Sequence, residues 1–196
     1  SEVAHQPLRA GVAERAVQGA ADLRGNAQRA AIGLGDVDAL DWCHQVGPAG
    51  DAGVGPLPGQ EPGPVDLSEI LEDVAAGARR NNADVDVAWQ GDMNVELREL
   101  AMKRCLTNLV SNALRYGTKV RLNAVRGRTS IEITIDDDGP GIPPDKHEDV
   151  FRPFFRLDES RNVDTGGVGL GLTIARDVAR SHGGDVALDA SPLGGL

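Results

Sequence analysis

The sequence is poor in aromatic residues, which make up only 3% of its 196 residues. Proteins that bind single-stranded nucleic acids stack the bases on aromatic side chains, so this scarcity argues against that class. The charge balance points the same way, because 30 acidic residues outnumber 20 basic ones and give a formal net charge of −10. Nucleic acids and anionic membranes repel such a chain. We therefore predict no nucleic-acid partner and expect positive charge only at a local site.

Cysteine is also rare, and long apolar runs are missing. The two cysteines, Cys43 and Cys105, form neither a metal-binding spacing nor a disulfide framework. Cys105 falls on the apolar side of a predicted helix, as a small buried residue would. No apolar run reaches the roughly 18–20 residues that span a bilayer, and the sequence shows no signal peptide. These absences predict a soluble domain in a reducing compartment, with any membrane anchor of the parent protein outside this sequence.

Glycine and proline divide the chain into three predicted parts. Residues 1–46 show weak helical patterning built mainly on alanine, and the glycines within it each weaken a helix by about 1 kcal/mol relative to alanine. Residues 47–65, which begin GPAGDAGVGPLPGQEPGP, have the composition of a flexible linker. Residues 66–196 have a sharper periodicity, and we predict that they form one domain.

Helical and strand periodicities alternate along the predicted domain. A helix capped by Asp66 is followed by a strand at 84–89 and by a second helix at 95–116. Two alternating runs, KVRLNAV and SIEITID, predict an antiparallel hairpin. A third helix, GLTIARDVARSHGG, precedes a last strand, DVALDA. This order predicts an α+β fold, a two-layer sandwich in which helices cover one face of a mixed, mostly antiparallel sheet.

Two glycine-rich segments follow the predicted hairpin, and both lie before the end of the third helix. The first, DDDGPGIP, places Asp137 where a strand gives way to a loop that contains Gly139 and Gly141. Glycines let a ligand approach the backbone closely, and a carboxylate there can accept a hydrogen bond from an exocyclic amine such as N6 of adenine. The second, DTGGVGLGLTIARD, leads directly into a helix, whose bare N-terminal amides and dipole favour anions such as phosphate. Structural turns are the alternative interpretation of each segment taken alone.

The second predicted helix carries two asparagines, Asn108 and Asn112, within the segment CLTNLVSNALRYG. Asparagine is a mediocre helix former, yet this i, i+4 spacing puts both amides on one face. Amide oxygens suit Mg²⁺, which usually keeps several waters and shares phosphate oxygens. Arg115 and Tyr116 follow closely and could contact a phosphate and a base. A pair of surface amides is the alternative, and the two glycine loops count against it.

Together these segments resemble the ATP-binding catalytic domain of sensor histidine kinases, in the superfamily shared with DNA gyrase and the Hsp90 chaperone. NLVSNALRYG resembles the asparagine box, DDDGPGIP the first glycine box, VFRPFFRLDESR the phenylalanine box and GGVGLGLTIARDVARSHGG the second glycine box. Four motifs in this order and spacing are highly specific. The likeness is greatest to osmosensor-type kinases, covers about residues 66–190, and implies the Bergerat fold.

The resemblance implies Mg-ATP as the ligand and a role for each site residue. Asn112, helped by Asn108, would hold Mg²⁺, and Asp137 would read adenine N6. Phe151 and Phe154 would anchor a mobile lid over the nucleotide. The other implied residues are Arg115 and Arg156, which with Asn108 would serve phosphoryl transfer, and Tyr116, Gly139, Gly141, Gly167, Gly169, Leu170 and Gly171, which would line the nucleotide or let the lid close.

The implied activity is transfer of the γ-phosphoryl of ATP to a histidine, for relay to the receiver domain of a response regulator. The resemblance also implies a homodimeric parent kinase, whose cytoplasmic catalytic domain is attached to the inner membrane through a segment outside this sequence. In this family the acceptor histidine lies in a helical dimerisation segment and is followed by an acidic residue and a Thr-Pro. Neither His5 nor His44 has those neighbours.

Three interpretations of the first 60 residues stay open. They are a degenerate or truncated dimerisation segment, a shifted reading frame, or an unrelated extension of a stand-alone nucleotide-binding module. At the other end, the family usually has one more strand after GGL, so we expect an incomplete edge of the sheet.

Two other functions are also open. The missing acceptor motif favours a degenerate kinase that binds nucleotide without autophosphorylation and acts through partner contacts. An ATPase of the gyrase or chaperone kind normally needs a glutamate in the asparagine box to activate water. Here the residues before Asn112 are Leu109, Val110 and Ser111, with Asn108 upstream, which disfavours hydrolysis.

Overall fold

The computed structural model describes residues 28–34, 61–157 and 168–193, and within these ranges the chain forms strands, three α-helices and two short 3₁₀ turns. The strands are β1 (Gln28–Leu34), β2 (Gly63–Asp66), β3 (Asp84–Gln90), β4 (Asn94–Leu97), β5 (Lys119–Arg126), β6 (Ile131–Asp137) and β7 (Asp185–Ala190). The helices are α1 (Leu67–Arg79), α2 (Glu99–Tyr116) and α3 (Gly171–Arg180), and the 3₁₀ turns are Pro144–Lys146 and Asp149–Phe151. None of the described helices is both long and apolar enough to span a membrane.

The main sheet has five strands in the order β3-β5-β6-β1-β7. The β3–β5 pair is parallel and the other three pairs are antiparallel, while β2 and β4 form a separate antiparallel pair. Alternate residues of the sheet, such as Val120, Leu122 and Ala124 of β5, are buried in one core with the apolar faces of the helices. The predicted mixed sheet with a helical layer is therefore confirmed.

Local sequence signals explain the first helix and part of the second. The Asp66 side chain accepts a hydrogen bond from the Ser68 amide at 2.9 Å, as predicted for an N-cap. The predicted start of the second helix at residue 95 is wrong, because Asn94–Leu97 is a strand and the helix begins at Glu99. Val95 and Leu97 alternate with polar residues and are buried, so pairing with β2 satisfies them better than a helix would.

The largest difference from the sequence prediction concerns β1. Weak helical patterning was predicted across residues 1–46, but Gln28–Leu34 is a strand inserted between β6 and β7. Its inward residues, Ala30, Ile32 and Leu34, are buried, so the period-two pattern and tertiary burial override the helical propensity of the alanines. The rest of the predicted N-terminal segment, with His5, His44 and Cys43, lies outside the described residues.

A histidine holds the second and third helices together. The Nε2 atom of His182, just after α3, accepts a hydrogen bond from the Arg98 amide at 3.1 Å, and its Nδ1–H donates to the Val178 carbonyl at 2.8 Å. Burial, followed by the nearby charge of Arg98, lowers the pKa of His182 although the Val178 contact opposes this. The neutral ring therefore joins the N-terminus of α2 to the C-terminus of α3, and the two helices pack side by side over the sheet.

Candidate functional site

A small, partly open cavity lies between α2, α3 and the sheet. Two of its lining residues are polar, Asn112 from α2 and Asp137 from the end of β6. The other lining residues are apolar: Ala30, Leu109, Ala113, Ile135, Leu172 and Leu188. Such a cavity, apolar with a few convergent polar groups, is typical of a small-molecule site. The structure thus brings together two residues that the sequence analysis assigned to the nucleotide.

Asp137 is the buried carboxylate of this cavity, with 8% of its surface exposed. Its Oδ1 atom accepts a hydrogen bond from the Gly139 amide at 2.8 Å. Burial raises the pKa of Asp137 to about 6, against the lowering effect of that hydrogen bond and with a smaller contribution from the charges of Asp138 and Asp136. A carboxylate in this setting can accept a hydrogen bond from a ligand amine that replaces part of its lost hydration.

The next aspartate, Asp138, organises the loop that frames the site. Its carboxylate accepts hydrogen bonds from the Thr118 hydroxyl and amide, each at 2.6 Å, and from the Lys119 amide at 2.9 Å. These bonds, the Thr118 hydroxyl first among them, lower the pKa of Asp138 to about 2. The side chain therefore ties the first glycine loop to the turn between α2 and β5. The sequence does not predict this role, because the bonded groups are remote in sequence.

The first glycine loop is packed against the end of α2. A Cβ atom at Gly139 would lie 2.9 Å from the Asp137 Oδ1 and 3.1 Å from the Tyr116 carbonyl oxygen, and Gly141 has a φ of +75°. Only glycine meets both demands without strain. The two glycines therefore shape the loop that follows Asp137, although neither lines the cavity, and their role at a nucleotide stays a prediction.

Asn108 lies one helical turn before Asn112 and faces the start of α3. Its Nδ2 atom is buried without a hydrogen-bond partner in the described part of the chain, and its Cβ would be 3.9 Å from a Cβ built at Gly171. A buried amide without a partner costs about 1–3 kcal/mol, so the position is suited to a ligand that supplies the missing acceptor.

Within the described part of the chain, no side chain caps the N-terminus of α3. Leu170 occupies the N-cap position, where no side-chain hydrogen bond is made, so the first amides of the helix are open to an anion beside Asn108. Asn108 and Gly171 are therefore neighbours beside the cavity, and Asp137 lines the cavity from the last position of β6. Gly167 lies outside the described residues.

Gly169 joins the two ends of the predicted lid. Its carbonyl accepts a hydrogen bond from the Phe154 amide at 3.0 Å, and its φ is +77°. A Cβ at this position would lie 2.9 Å from the Phe154 carbonyl carbon and from the Phe155 carbonyl oxygen. Glycine is thus required by a close approach of two backbone segments, in addition to any ligand.

The two phenylalanines predicted to anchor the lid differ in burial. Phe151 is buried, with the Arg176 guanidinium carbon 4.3 Å from its ring centroid. Phe154 is 67% exposed with a φ of +65°, so its predicted anchoring role is wrong. The half-buried Phe155 packs against the core instead.

The predicted cationic and aromatic residues of the site lie outside the cavity. Arg115, Tyr116 and Arg156 are exposed and do not line it, and no ion pair engages either arginine among the described residues. The structure thus places Asn112 and Asp137 in the lining of the cavity, with Asn108 one helical turn from Asn112. Arg115, Tyr116 and Arg156 lie outside it. The apolar walls Ala30, Ile135 and Leu188 were missed. Strand alternation identifies Ile135, whereas the place of β1 depends on tertiary pairing.

The donor set can be tested against the implied Mg²⁺. Within the described residues no group of three or more His, Cys, Asp or Glu could hold a metal by itself. Mg²⁺, however, typically takes one or two protein ligands and completes its shell with water and phosphate oxygens. Asn112 lines the cavity and Asn108 has an unsatisfied amide beside it, and a half-turn of an amide exchanges its oxygen and nitrogen. These residues fit a Mg²⁺ ion that is shared with a bound phosphate.

Comparison with known sequences gives the same family as the sequence motifs. The family described as histidine kinase-, DNA gyrase B-, and HSP90-like ATPase matches residues 97–196, about half of the chain. The sensor histidine kinase CpxA of Escherichia coli K12 is 40% identical over 131 residues, which are 66% of this chain and 29% of CpxA. The sensor protein RstB of the same organism is 40% identical over 133 residues, 67% of this chain and 30% of RstB. The chain therefore spans about 30% of the length of these relatives.

Solved structures show the same likeness. The ATP-binding domain of PrrB from Mycobacterium tuberculosis superimposes with a TM-score of 0.55 at 32% identity, over 69% of this chain and 91% of that domain. The mycobacterial sensor histidine kinase MprB gives a TM-score of 0.53 at 25% identity, over 65% and 95% of the two chains. The motifs, the fold and the cavity agree with these matches, and the chain belongs to the family of histidine kinase-, DNA gyrase B- and HSP90-like ATPases, with sensor histidine kinases among its relatives.

Proposed function

We propose that this chain binds Mg-ATP as the catalytic domain of a two-component sensor histidine kinase and transfers the γ-phosphoryl to a histidine, for relay to a response regulator. The observation that carries the proposal is the cavity that Asn112 enters from α2 and Asp137 from β6. Family membership supports the proposal, because relatives along this part of the chain are named sensor histidine kinases.

The base would bind at the Asp137 end of the cavity. The carboxylate accepts the N6 amine of adenine, and the apolar side chains of the walls cover the ring. Guanine presents an acceptor oxygen at the corresponding position, and a buried carboxylate that faces an acceptor costs about 1–3 kcal/mol. The site therefore favours adenine over guanine.

The phosphates would bind between α2 and the N-terminus of α3. The amides around Leu170 and Gly171 donate to phosphate oxygens. The Nδ2 of Asn108, which has no partner among the described residues, donates to another phosphate oxygen. Asn112, with Asn108, would hold Mg²⁺, which when bound neutralises phosphate charge during transfer. Arg115 and Arg156 are exposed and free to approach the same phosphates.

Phosphoryl transfer in this proposal relies on positioning. No covalent group of the chain takes part, and the acceptor imidazole must lie in line with the γ-phosphate at about 3–3.5 Å. The parent kinase would supply that imidazole from a helical dimerisation segment, act as a homodimer attached to the inner membrane, and pass the phosphoryl group to a receiver domain from the cytoplasmic side.

A second candidate is a module that binds nucleotide and phosphorylates nothing. It is favoured by the absence of an acidic residue and a Thr-Pro after His5 or His44. Both candidates share the cavity, so they differ only in the transfer step.

Nucleotide binding is tested by Asn112→Ala in the full chain. Because Asn112 is half-buried and polar, its removal should leave the fold intact and weaken Mg-dependent ATP binding by about tenfold or more. Titration calorimetry with ATP and GTP, with and without Mg²⁺, measures this. Thr107→Ala, at an exposed position of the same helix, is the matched control and should bind as the wild type does. Equal affinity of the two variants would contradict the proposed role.

The transfer step is tested with γ-labelled ATP. The chain alone should label weakly or not at all, whereas addition of a separate dimerisation hairpin from a related kinase should yield an acid-labile label on the hairpin. ATP binding without any transfer to the hairpin would favour the second candidate.

A further inference from the structure

Part of the cavity floor comes from a strand that the family match does not include. Ala30 of β1 lines the cavity, and it lies outside residues 97–196, which carry the family match. In the sheet, Ala30 is paired with Ile135 of β6 on one side and with Leu188 of β7 on the other. Both partners also line the cavity, so the three side chains form one row across its floor.

We propose that Ala30 sets the depth of the base end of this pocket and thereby determines which bases it admits. The inference rests on the proposed nucleotide binding and adds a residue that discriminates ligands by size. It concerns a purine base, whose two fused rings need more depth than the single ring of a pyrimidine.

The first argument is the contrast of sizes along the row. Ala30 is the small residue between two large ones, and it is buried, with 9% of its surface exposed. Paired residues on neighbouring strands have Cβ atoms about 4.5–5.5 Å apart, so Ile135 and Leu188 close off both sides. Because Ala30 lines the cavity together with Leu109 and Leu172, a larger side chain at position 30 would take up space within it.

The second argument is the position of Ala30 relative to the polar group of the site. Ile135 and Asp137 are two residues apart on β6 and share one face of the sheet, and both line the cavity. Since Ala30 pairs with Ile135, it is a diagonal neighbour of Asp137, about 7–8 Å away. A base whose amine is held by the Asp137 carboxylate therefore extends over Ala30, and a second ring needs the space that a methyl group leaves.

The test compares Ala30→Val and Ala30→Leu with Ala31→Val in the full chain. Ala31 lies on the same strand and faces the opposite side of the sheet, where it pairs with Thr134 and Ala187. Valine favours strands, so Ala30→Val keeps β1 docked even if Ala30→Leu does not, and hydrogen exchange of the β1 amides checks the docking of each variant.

Affinities for ATP and CTP are measured by calorimetry, because cytosine also offers an exocyclic amine but has one ring.

We expect Ala30→Val to weaken ATP binding by about tenfold or more and CTP binding by clearly less, and Ala31→Val to change neither. Unchanged ATP affinity in Ala30→Val would overturn the inference and leave the proposed function standing. An equal loss for ATP and CTP would also overturn it, because it would mean general damage to the site. Failure of the wild-type chain to bind ATP would instead contradict the proposed function itself.

Discussion

Three consecutive aspartates at the end of β6 show how position determines the chemistry of one residue type. Asp136 is buried on the face of the sheet opposite the cavity, in register with Arg121. Asp137 faces the cavity, and burial raises its pKa to about 6, whereas hydrogen bonds from Thr118 and Lys119 lower the pKa of Asp138 to about 2. Strand alternation from Ile135 predicts that Asp137 faces the helices. Nothing local predicts the contacts of Asp138.

Together with the proposed contact to adenine N6, the raised pKa of Asp137 predicts that ATP affinity depends on pH. If the ionised carboxylate is the form that accepts the N6 amine, affinity should fall by about tenfold between pH 8 and pH 5, since at pH 5 a group of pKa about 6 is mostly protonated. Calorimetric titrations across this range measure the effect. Asp137→Asn has a similar shape and cannot titrate, so any pH dependence left in that variant belongs to the ligand phosphates. Identical profiles for both proteins would exclude Asp137 as the titrating group.

The same carboxylate should also make the stability of the ligand-free protein depend on pH. The sign is opposite, because stability falls as the pH rises. Its pKa is about 6 in the folded chain and 3.8 in the unfolded chain, so the folded state binds the proton more tightly. The stabilisation is fully present below about pH 4 and is lost as the pH rises through 6. Asp137→Asn removes this contribution to the free energy of unfolding. In the proposed site the aspartate would therefore favour binding at a cost in stability, as expected of a functional site.

At the scale of elements, the start of α3 is held to the 3₁₀ turn at Asp149–Phe151. Arg176 donates to Glu148 and to Asp185, each at 2.9 Å, and covers the Phe151 ring. The Thr173 hydroxyl donates to the Phe151 carbonyl at 2.9 Å. These contacts fix one side of the predicted lid to α3, whose N-terminus is the proposed phosphate site.

Gly169→Ala tests a second contact of the predicted lid, the backbone hydrogen bond between Phe154 and Gly169. The φ of +77° alone costs an alanine roughly 1–2 kcal/mol, and its Cβ would collide with the Phe154–Phe155 backbone. We expect faster hydrogen exchange at the Phe154 amide and weaker ATP binding. Gly77→Ala is the control, because its Cβ meets only ordinary contact distances within α1 and should leave both quantities unchanged. An unaltered Phe154 amide in Gly169→Ala would show that the contact does not hold the two ends together.

The elements differ in how far the sequence determines them locally. The Asp66 cap, the hairpin of β5 and β6 and helix α3 follow from patterns a few residues long, and all were predicted. Strand β4 was mistaken for the start of α2, because four residues carry too little periodicity to exclude a helix. The exposure of Phe154 was also unpredictable, since it depends on the approach of Gly169 from a distant part of the chain.

At the scale of the whole molecule, β1 is the element that the sequence predicted least well. Its alanines favour a helix, and only the buried alternation of Ala30, Ile32 and Leu34 indicates a strand. Strands β6 and β7, between which β1 lies, are formed by residues far along the chain. Whether residues 28–34 form a strand therefore depends on tertiary contacts, which no local sequence pattern predicts. Part of the cavity floor depended on the same contacts and was missed with it.

Ile32 and Ile133 allow the order of assembly to be measured, because they are paired across β1 and β6 and both are fully buried. Ile→Val at either position should cost about 0.5–1.5 kcal/mol. In Ile32→Val we expect faster unfolding with little change in the folding rate, because β1 must close a long loop before it gains contacts. Ile133→Val, within a local hairpin, should slow folding. Stopped-flow kinetics measure both rates, and equal effects on folding would contradict late docking of β1.

The central place of β1 also has a consequence for the chain as it is synthesised. Residues 28–34 leave the ribosome long before β6, at residues 131–137, and β7, at residues 185–190, exist to receive them. Until β1 docks, the strand Ile131–Asp137 presents an unpaired edge on its β1 side, and such edges readily pair with other chains. The yield of soluble protein should therefore depend on how quickly the earliest strand finds its place between the two latest ones.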